Sequence, residues 1–413
     1  MPKQRQTNAA ETTPANKRTP TFLLELPLQV TPGQAKRLPA HLEAARQLYN
    51  AVLSEGQRRM RRMRSDPAWQ TARAIPRSQK LERQHAFAAL RAQYSFSEYA
   101  LRDAVKVLNS AWIADHIDAV LAQTLASRAY RALNRVCLGQ ARRVRFKSRG
   151  RGIGSVENKR TDTGLRFVLQ QPEKDNAGYL LWQDDRLSAI IDWKDPVVTY
   201  GLAQRVKYAR LVQRQASGPR ARGADQQGHR YFVQLALEGV PYHKPKHAIG
   251  QDIVGLDLGP STIAIVPRDA PPRLEVLCAE LAPDAQAIRR LQRQMDRQRR
   301  ANNPDNYDER GRTKNGHGKG RLRWKQSHRY LATRRRKAAR ERKLAAHRKS
   351  LHGRLVHEIV AMGNTVITEK LSYRAWQKQF GKSVGLRAPG MFMELLRRTG
   401  ASDGRHPGRS LHP

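Results

Sequence analysis

The sequence predicts a protein of the α/β plus β class, with a β domain followed by an α/β domain. Short apolar runs separated by turn-rich connectors occupy residues 143–239 and are typical of β-strands. A strand, a tight turn and a second strand follow at 252–268. A long stretch of helical spacing then covers about 284–362, and one more apolar run comes after it.

The elements in order suggest where the domains begin and end. An apolar strand over 21–30 precedes Thr31, which is predicted to cap a helix that has Pro32 at its first position and Gln34 three residues on. The predicted parts are a disordered polar tail at 1–20, a β-barrel-like domain at 21–248 with a helical insert at about 32–138, an α/β domain at 249–398 with a basic helical insert at about 284–362, and an unstructured tail at 399–413.

The charge of the chain indicates a polyanionic partner. The formal net charge is +43, from 78 Lys and Arg against 35 Asp and Glu. Residues 289–354 alone hold 24 Lys and Arg against five Asp and Glu, a net charge of +19. Such a field disfavours the compact state unless a polyanion neutralises it, and nucleic acid is the obvious one.

An acidic membrane surface is the alternative to nucleic acid, but no amphipathic anchor and no apolar run of roughly 18 residues supports it. No secretory signal is visible at the N-terminus, so a cytoplasmic, nucleoid-associated bacterial protein is expected. Cys137 and Cys278 lie far apart and outside any C-x-x-C pair, which predicts two free, buried cysteines and no cysteine-based zinc site.

One carboxylate stands inside an apolar strand. Side chains in a strand alternate between its two faces, so Val254, Leu256 and Leu258 are predicted to enter a core and Asp257 to face the other way. The glycines at 255 and 259 leave that second face open to a bulky ligand. Other interpretations are a plain turn aspartate, or the strand that opens sugar-kinase and actin-like ATPase folds.

A second carboxylate, Glu369, ends the apolar run at 364–369. Two-metal phosphodiester hydrolysis needs clustered carboxylates that hold two Mg²⁺ ions about 4 Å apart. Two acids that are distant in sequence and separated by a basic helical insert fit that design. We therefore predict that Asp257 and Glu369 bind Mg²⁺.

Several motifs together resemble the OrfB/TnpB-type proteins of insertion sequences. The strand that carries Asp257 is similar to the first catalytic strand of RuvC and RNase H-type nucleases. The matching segments occur in the order of that family and lie at 26–32, 45–50, 129–133, 144–148 (Val-Arg-Phe-Lys-Ser), 253–259, 326–330 and 367–371.

The resemblance implies an RNA-guided DNA endonuclease with guide RNA and double-stranded DNA as partners. It also implies an incomplete RNase H-like (RuvC) domain in which Asp257 and Glu369, on neighbouring strands, are two of three catalytic acids. The basic segments predict nucleic-acid contacts at Arg145, Lys147, Arg149, Arg321, Arg323, Lys325, Arg329, Arg334, Arg335 and Arg336.

The chain departs from the family after Glu369. The pattern of the family continues with a four-cysteine zinc ribbon and a third acidic motif, and this chain has neither, so no zinc is expected. The later acids are Glu394, predicted to lie on a helix surface, and Asp403, predicted to lie in a turn. The sequence thus predicts a truncated TnpB-like protein with weak or no cleavage; the alternatives are an active Mg²⁺-dependent nuclease and a general basic RNA-binding protein.

Overall fold

The computed structural model describes residues 19–108, 111–150, 152–170, 178–216, 228–242, 244–245, 247–314, 322–369 and 371–401. Two compact units divide the chain, Met1–Tyr242 and His243–Pro413. The predicted tails fall almost entirely outside the described residues, which include only 19–20 of the first tail and 399–401 of the second.

An antiparallel sheet forms the first unit. Its strands are β1 (Thr21–Gln29), β2 (Ser155–Glu157), β3 (Arg166–Leu169), β4 (Gly178–Trp182), β5 (Asp185–Ala189), β6 (Val206–Gln215) and β7 (His229–Glu238). They pair in the order β2-β6-β7-β1-β5-β4-β3. The edge strand β3 also contacts β6, so the sheet curls toward itself.

The helices of the first unit lie mostly between β1 and β2. They are α1 (Pro32–Ser65), α2 (Pro67–Ala74), α3 (Lys80–Gln93), α4 (Glu98–Leu108), α5 (Ala111–Ala114), α6 (Ala119–Cys137) and, after β5, α7 (Pro196–Leu202). The predicted capping box is confirmed. The backbone N–H of Gln34 donates to Thr31 Oγ1 over 3.3 Å, and the side-chain Oε1 of Gln34 accepts from the backbone N–H of Thr31 over 3.0 Å.

Helix α1 is fixed on the sheet by buried polar contacts. Gln34 Nε2 donates to the carbonyl of Arg186 over 2.8 Å. Asp185, only 3% exposed, forms an ion pair with Arg37, and its Oδ2 lies 3.5 Å from His41 Nε2. Burial lowers the pKa of the His41 imidazole. These contacts fix the position of α1, the helix that carries one of the site residues described below.

The second unit is built on a four-stranded sheet. Its strands are β8 (Ile253–Leu258), β9 (Thr262–Pro267), β10 (Arg273–Val276) and β11 (Thr365–Thr368), in the order β10-β9-β8-β11. Strand β11 is parallel to β8, whereas the other pairs are antiparallel. The helices are α8 (Ala282–Ala301), α9 (His328–Met362), α10 (Tyr373–Gln379), α11 (Gly381–Arg387) and α12 (Pro389–Ala401).

One face of this sheet packs on helices and the other faces outward. Val254, Leu256 and Leu258 are at most 5% exposed, as the alternation predicts, and they share a core with Ile359 of α9 and Phe392 of α12. The outward face carries exposed apolar side chains from all four strands, namely Ile253, Val266, Leu274, Val276 and Ile367. The acids of the candidate site belong to this outward face.

Several sequence predictions need correction. The apolar run at 273–280, which by composition alone favours one strand, forms a strand only to Val276, and a 3-10 turn over Ala279–Leu281 follows it. Strand β6 was missed, because Lys207, Arg210 and Arg214 interrupt the apolar residues of Val206–Gln215. Helix α12 runs to Ala401, into the segment predicted to be unstructured.

Two glycines allow the backbone to cross closely where α9 meets the sheet. A Cβ on Gly363 would lie 2.1 Å from the carbonyl oxygen of Asp252, and one on Gly250 would lie 2.5 Å from the carbonyl oxygen of Ala361. Gly363 follows α9 directly and precedes β11. The bare backbone at 363 therefore permits β11 to lie beside β8.

We expect Gly363→Ala to lower the free energy of unfolding of the second unit by about 2 kcal/mol, because the added methyl group would collide with backbone rather than with a movable side chain. Gly353→Ala is the matched control on α9, where an added Cβ meets nothing within 4 Å. It should stabilise by about 0.5–1 kcal/mol. Chemical denaturation followed by circular dichroism measures both, and equal stability of the two variants would contradict the close crossing.

Candidate metal and nucleic-acid sites

The parallel pairing of β8 with β11 brings the two predicted acids together. Thr368 pairs with Leu256, so the next position of the register sets Glu369 opposite Asp257. Adjacent strands lie about 4.8 Å apart, and residues in register on parallel strands point to the same face. Both acids are exposed on the outward face of the sheet. The predicted neighbourhood of these two strands is confirmed.

The donor set at this edge consists of two carboxylates. Within the described ranges, no group of three or more His, Cys, Asp and Glu side chains is placed to hold a metal ion. Of the later acids, Glu394 is exposed on α12 and forms an ion pair with Arg398 at 2.8 Å, and Asp403 lies outside the described residues. Mg²⁺ is often bound by only one or two carboxylates and water, so the pair suits a single hydrated Mg²⁺.

A helix that the sequence did not associate with the site lies against the turn that follows Asp257. Ser383 Oγ on α11 donates to the carbonyl of Pro260 over 2.7 Å. Arg387 Nη1 donates to the same Ser383 oxygen over 3.0 Å. A guanidinium is thus held beside the β8–β9 turn. Sequence reasoning had no signal for it, because only the fold brings 383 near 260.

In the basic insert, asparagine side chains fix the backbone of the segment that leads into α9. Asn303 is buried, its Nδ2 donates to the Lys325 carbonyl over 3.0 Å, and its Oδ1 accepts from the Lys325 N–H over 2.6 Å. Asn306 Nδ2 donates to the Arg323 carbonyl over 2.7 Å. The Asn-rich connection between α8 and α9 therefore has a structural role.

The predicted cations of this insert face solvent. The exposed ones are Arg323, Lys325, Arg329, Arg334, Arg335 and Arg336, and Arg321 lies outside the described residues. Consecutive residues of a helix point about 100° apart, so the three arginines at 334–336 do not form one surface. Arg329 and Arg336, seven positions apart, lie on the same side of α9. The fold therefore brings together only part of the predicted set.

The aromatic residue Trp324 of this insert is packed against its own helices. The guanidinium of Arg299 on α8 lies 3.7 Å from the centre of the indole ring, and Tyr307 contacts the indole edge-on at 5.9 Å. These contacts orient the indole within the unit.

In the first unit, an asparagine side chain also fixes the backbone of a basic segment, the run 142–149. The Asn50 side chain on α1 pairs with both backbone groups of Lys147: Nδ2 donates to the carbonyl over 2.8 Å, and Oδ1 accepts from the N–H over 2.9 Å. Arg46 Nη1 also donates to that carbonyl over 2.9 Å. Arg145 and Arg149 are exposed, whereas Lys147 is half-buried with its ammonium 6.0 Å from the centre of the Tyr49 ring.

A neighbouring carboxylate does not cancel this charge. Glu43 is engaged by Arg46, whose hydrogen bonds, at 2.6 and 2.8 Å, lower the pKa of the carboxyl, and the positive charge of Arg149 acts in the same direction. The cations at 142, 143, 145 and 149 are exposed to solvent.

Comparison with known proteins gives a likeness to solved structures and no match in sequence. No family model matches the chain, and no curated protein matches it either. Among solved structures, a chain from a cryo-EM structure of a Cas12f1–sgRNA–target DNA complex matches over 94% of this chain and 89% of its own, with 12% identity and a TM-score of 0.40. At this TM-score the likeness carries no weight for the fold or the function.

Helices of sufficient length and apolarity to cross a membrane are not found in the described part of the chain.

We expect Asn50→Ala to speed hydrogen exchange at the Lys147 amide and to lower the free energy of unfolding by about 1 kcal/mol, because the Lys147 N–H loses its acceptor. Gln47→Ala is the control, since that exposed side chain on α1 donates to Glu43, over 3.1 Å, and no hydrogen bond from it to Lys147 is found among the described residues. Exchange followed by mass spectrometry at peptide resolution measures the effect. Equal protection of the 144–149 segment in both variants would contradict the proposed clamp.

Proposed function

We propose that this protein binds nucleic acid through the two basic segments at 142–149 and 323–336, with guide RNA and double-stranded DNA as its partners. The observation that carries the proposal is that asparagine side chains fix the backbone of both segments while most of their cations, though not Lys147, remain exposed. A fixed backbone lowers the entropic loss on binding, and exposed guanidinium groups suit phosphate oxygens.

The guided mode of binding is supported by the resemblance of the ordered segments to OrfB/TnpB-type proteins. In such a mode, base pairing with the guide reads the target, and the protein holds the backbone. A general basic RNA-binding protein remains the second candidate. General RNA binding would not require two carboxylates in register on neighbouring strands.

Asp257 and Glu369 are proposed to hold Mg²⁺. When bound, the ion would polarise a phosphoryl oxygen and activate water for hydrolysis. The residues themselves would supply two carboxylate ligands from one strand edge, and the glycine at 255 leaves the outward face beside Asp257 without a side chain. The weak or absent cleavage expected from the sequence stays a prediction.

For binding, we expect the double variant Arg329→Ala/Arg336→Ala to weaken affinity for RNA and DNA of any sequence. Two lost phosphate contacts should reduce the slope of log K against log salt by about 1.8 for duplex DNA. Arg354→Ala is the control on the same helix, because that guanidinium pairs with Glu280 at 3.1 Å. Fluorescence anisotropy over a salt series tests this, and an unchanged slope would exclude this side of α9 from the interface.

For the metal, we expect Mg²⁺ to raise the melting temperature of the wild-type protein and to lose this effect in Asp257→Asn and in Glu369→Gln, since both keep the side-chain shape but remove the charge. Glu394→Gln, an acid on α12 paired with Arg398, should respond like the wild type. Differential scanning calorimetry with and without MgCl₂ measures it. The same response in all four proteins would contradict a site at this edge.

For cleavage, we expect little cutting of a matched plasmid by the protein with its cognate guide RNA and Mg²⁺. Robust cutting that Asp257→Ala abolishes would instead favour the active nuclease.

Sequencing of the RNA that co-purifies with the protein separates the two binding modes: one defined species indicates a guide, and a heterogeneous mixture indicates general RNA binding.

A further inference from the structure

The irregular segment between α6 and β2 presents an aromatic ring to solvent in the middle of its cations. Phe146 is 48% exposed, in contrast to Phe96 of the same unit, which is fully buried. We propose that Phe146 is a stacking platform for one unpaired base of the bound strand. This inference rests on the proposed function and adds to it the part of the ligand that the segment recognises.

The clamp on Lys147 fixes the backbone next to the ring. Lys147 turns toward α1, where its ammonium lies over the Tyr49 ring and its backbone is held by Asn50. Phe146 stays 48% exposed beside this fixed backbone, so its ring is accessible to a ligand.

The surroundings of the ring suit a nucleotide. Arg143, Arg145 and Arg149 are exposed within three residues of Phe146, and the run 142–149 contains five cations and no acid. A phosphate held by these guanidinium groups would set the attached base near the ring. Stacking of a base on an aromatic side chain is worth about 1–3 kcal/mol and tolerates any base, because every base has a π-face.

A duplex offers no equivalent ligand. Bases within a double helix are stacked on their neighbours on both faces, so a protein ring reaches a base face without unstacking and kinking the duplex only in a single strand, at an end or at a flipped base. The exposed ring thus favours an unpaired nucleotide, in RNA or in displaced DNA, over the interior of a duplex.

The contrast with Trp324 supports this assignment. Both aromatic residues lie in basic segments with an asparagine-fixed backbone, but the indole is covered by Arg299 at 3.7 Å. Phe146 keeps nearly half of its surface in water. Stacking a base on the exposed part of this ring would remove apolar surface from water, which favours binding.

The test uses the full chain and short oligonucleotides that carry one 2-aminopurine, as single-stranded RNA, single-stranded DNA and duplex DNA. Phe146→Ala should bind both single strands about tenfold more weakly, equivalent to about 1.4 kcal/mol, and should quench 2-aminopurine less than the wild type does. Duplex affinity and the salt slope should not change, because the ring carries no charge.

Two further variants make the result specific to the ring. Phe146→Trp should keep wild-type affinity and quenching, whereas Phe146→Leu should behave like Phe146→Ala. Val107→Ala, which removes the 89% exposed side chain on α4, is the control for loss of exposed apolar surface and should bind like the wild type. The RNA and DNA arms show which single strand is the better ligand.

Wild-type affinity of Phe146→Ala for both single strands would overturn the inference while leaving the proposed function intact. Equal losses on single strands and duplex would also overturn it. Failure of the wild-type protein to bind any of these oligonucleotides would overturn the proposed function and this inference with it. Melting curves of each variant confirm that the comparison is made between folded proteins.

Discussion

The parallel pairing of β8 with β11 is the constraint on which the second unit depends. Parallel strands need a long crossover connection, and here that connection contains the basic helices α8 and α9. The same pairing sets Glu369 opposite Asp257 and lets the core of the sheet continue onto α9. The position of the basic helices α8 and α9 and the position of the two acids are thus consequences of one topology. At Gly363 the backbone of Asp252 lies so close that a side chain would not fit.

Asparagine clamps fix the basic segments in both units. An amide side chain offers one donor and one acceptor, so it can pair with the N–H and C=O of a single residue much as a neighbouring strand would. Asn50 does this to Lys147, and Asn303 does it to Lys325. Irregular basic segments thus gain a defined backbone conformation while most of their cations, though not Lys147, stay exposed.

The fold tolerates its charge because the cations and the core occupy different sides of the same elements. On α9, Leu344, Leu351, Val356 and Ile359 are buried while exposed cations cover the rest of the helix. Few acids are available for pairing along it; Lys337 with Glu341 at 2.6 Å is one example. Burial of the apolar stripe therefore supports the helix, and repulsion between the cations is relieved by a polyanion.

The sequence by itself determined the apolar alternation of β8, the capping box at Thr31, the two helices of the basic insert and the terminal position of Glu369, because these depend on residues close along the chain. Strand β6 escaped prediction, since its pairing with β7 overrides its polar composition. Only the tertiary structure decided which register sets Asp257 beside Glu369 and which asparagines hold Lys147 and Lys325. The contact of Ser383 with Pro260 and the exposure of Phe146 were also decided there. Each of these joins residues far apart in sequence, or follows from such a contact, and local periodicity carries no information on which distant backbone a side chain will meet.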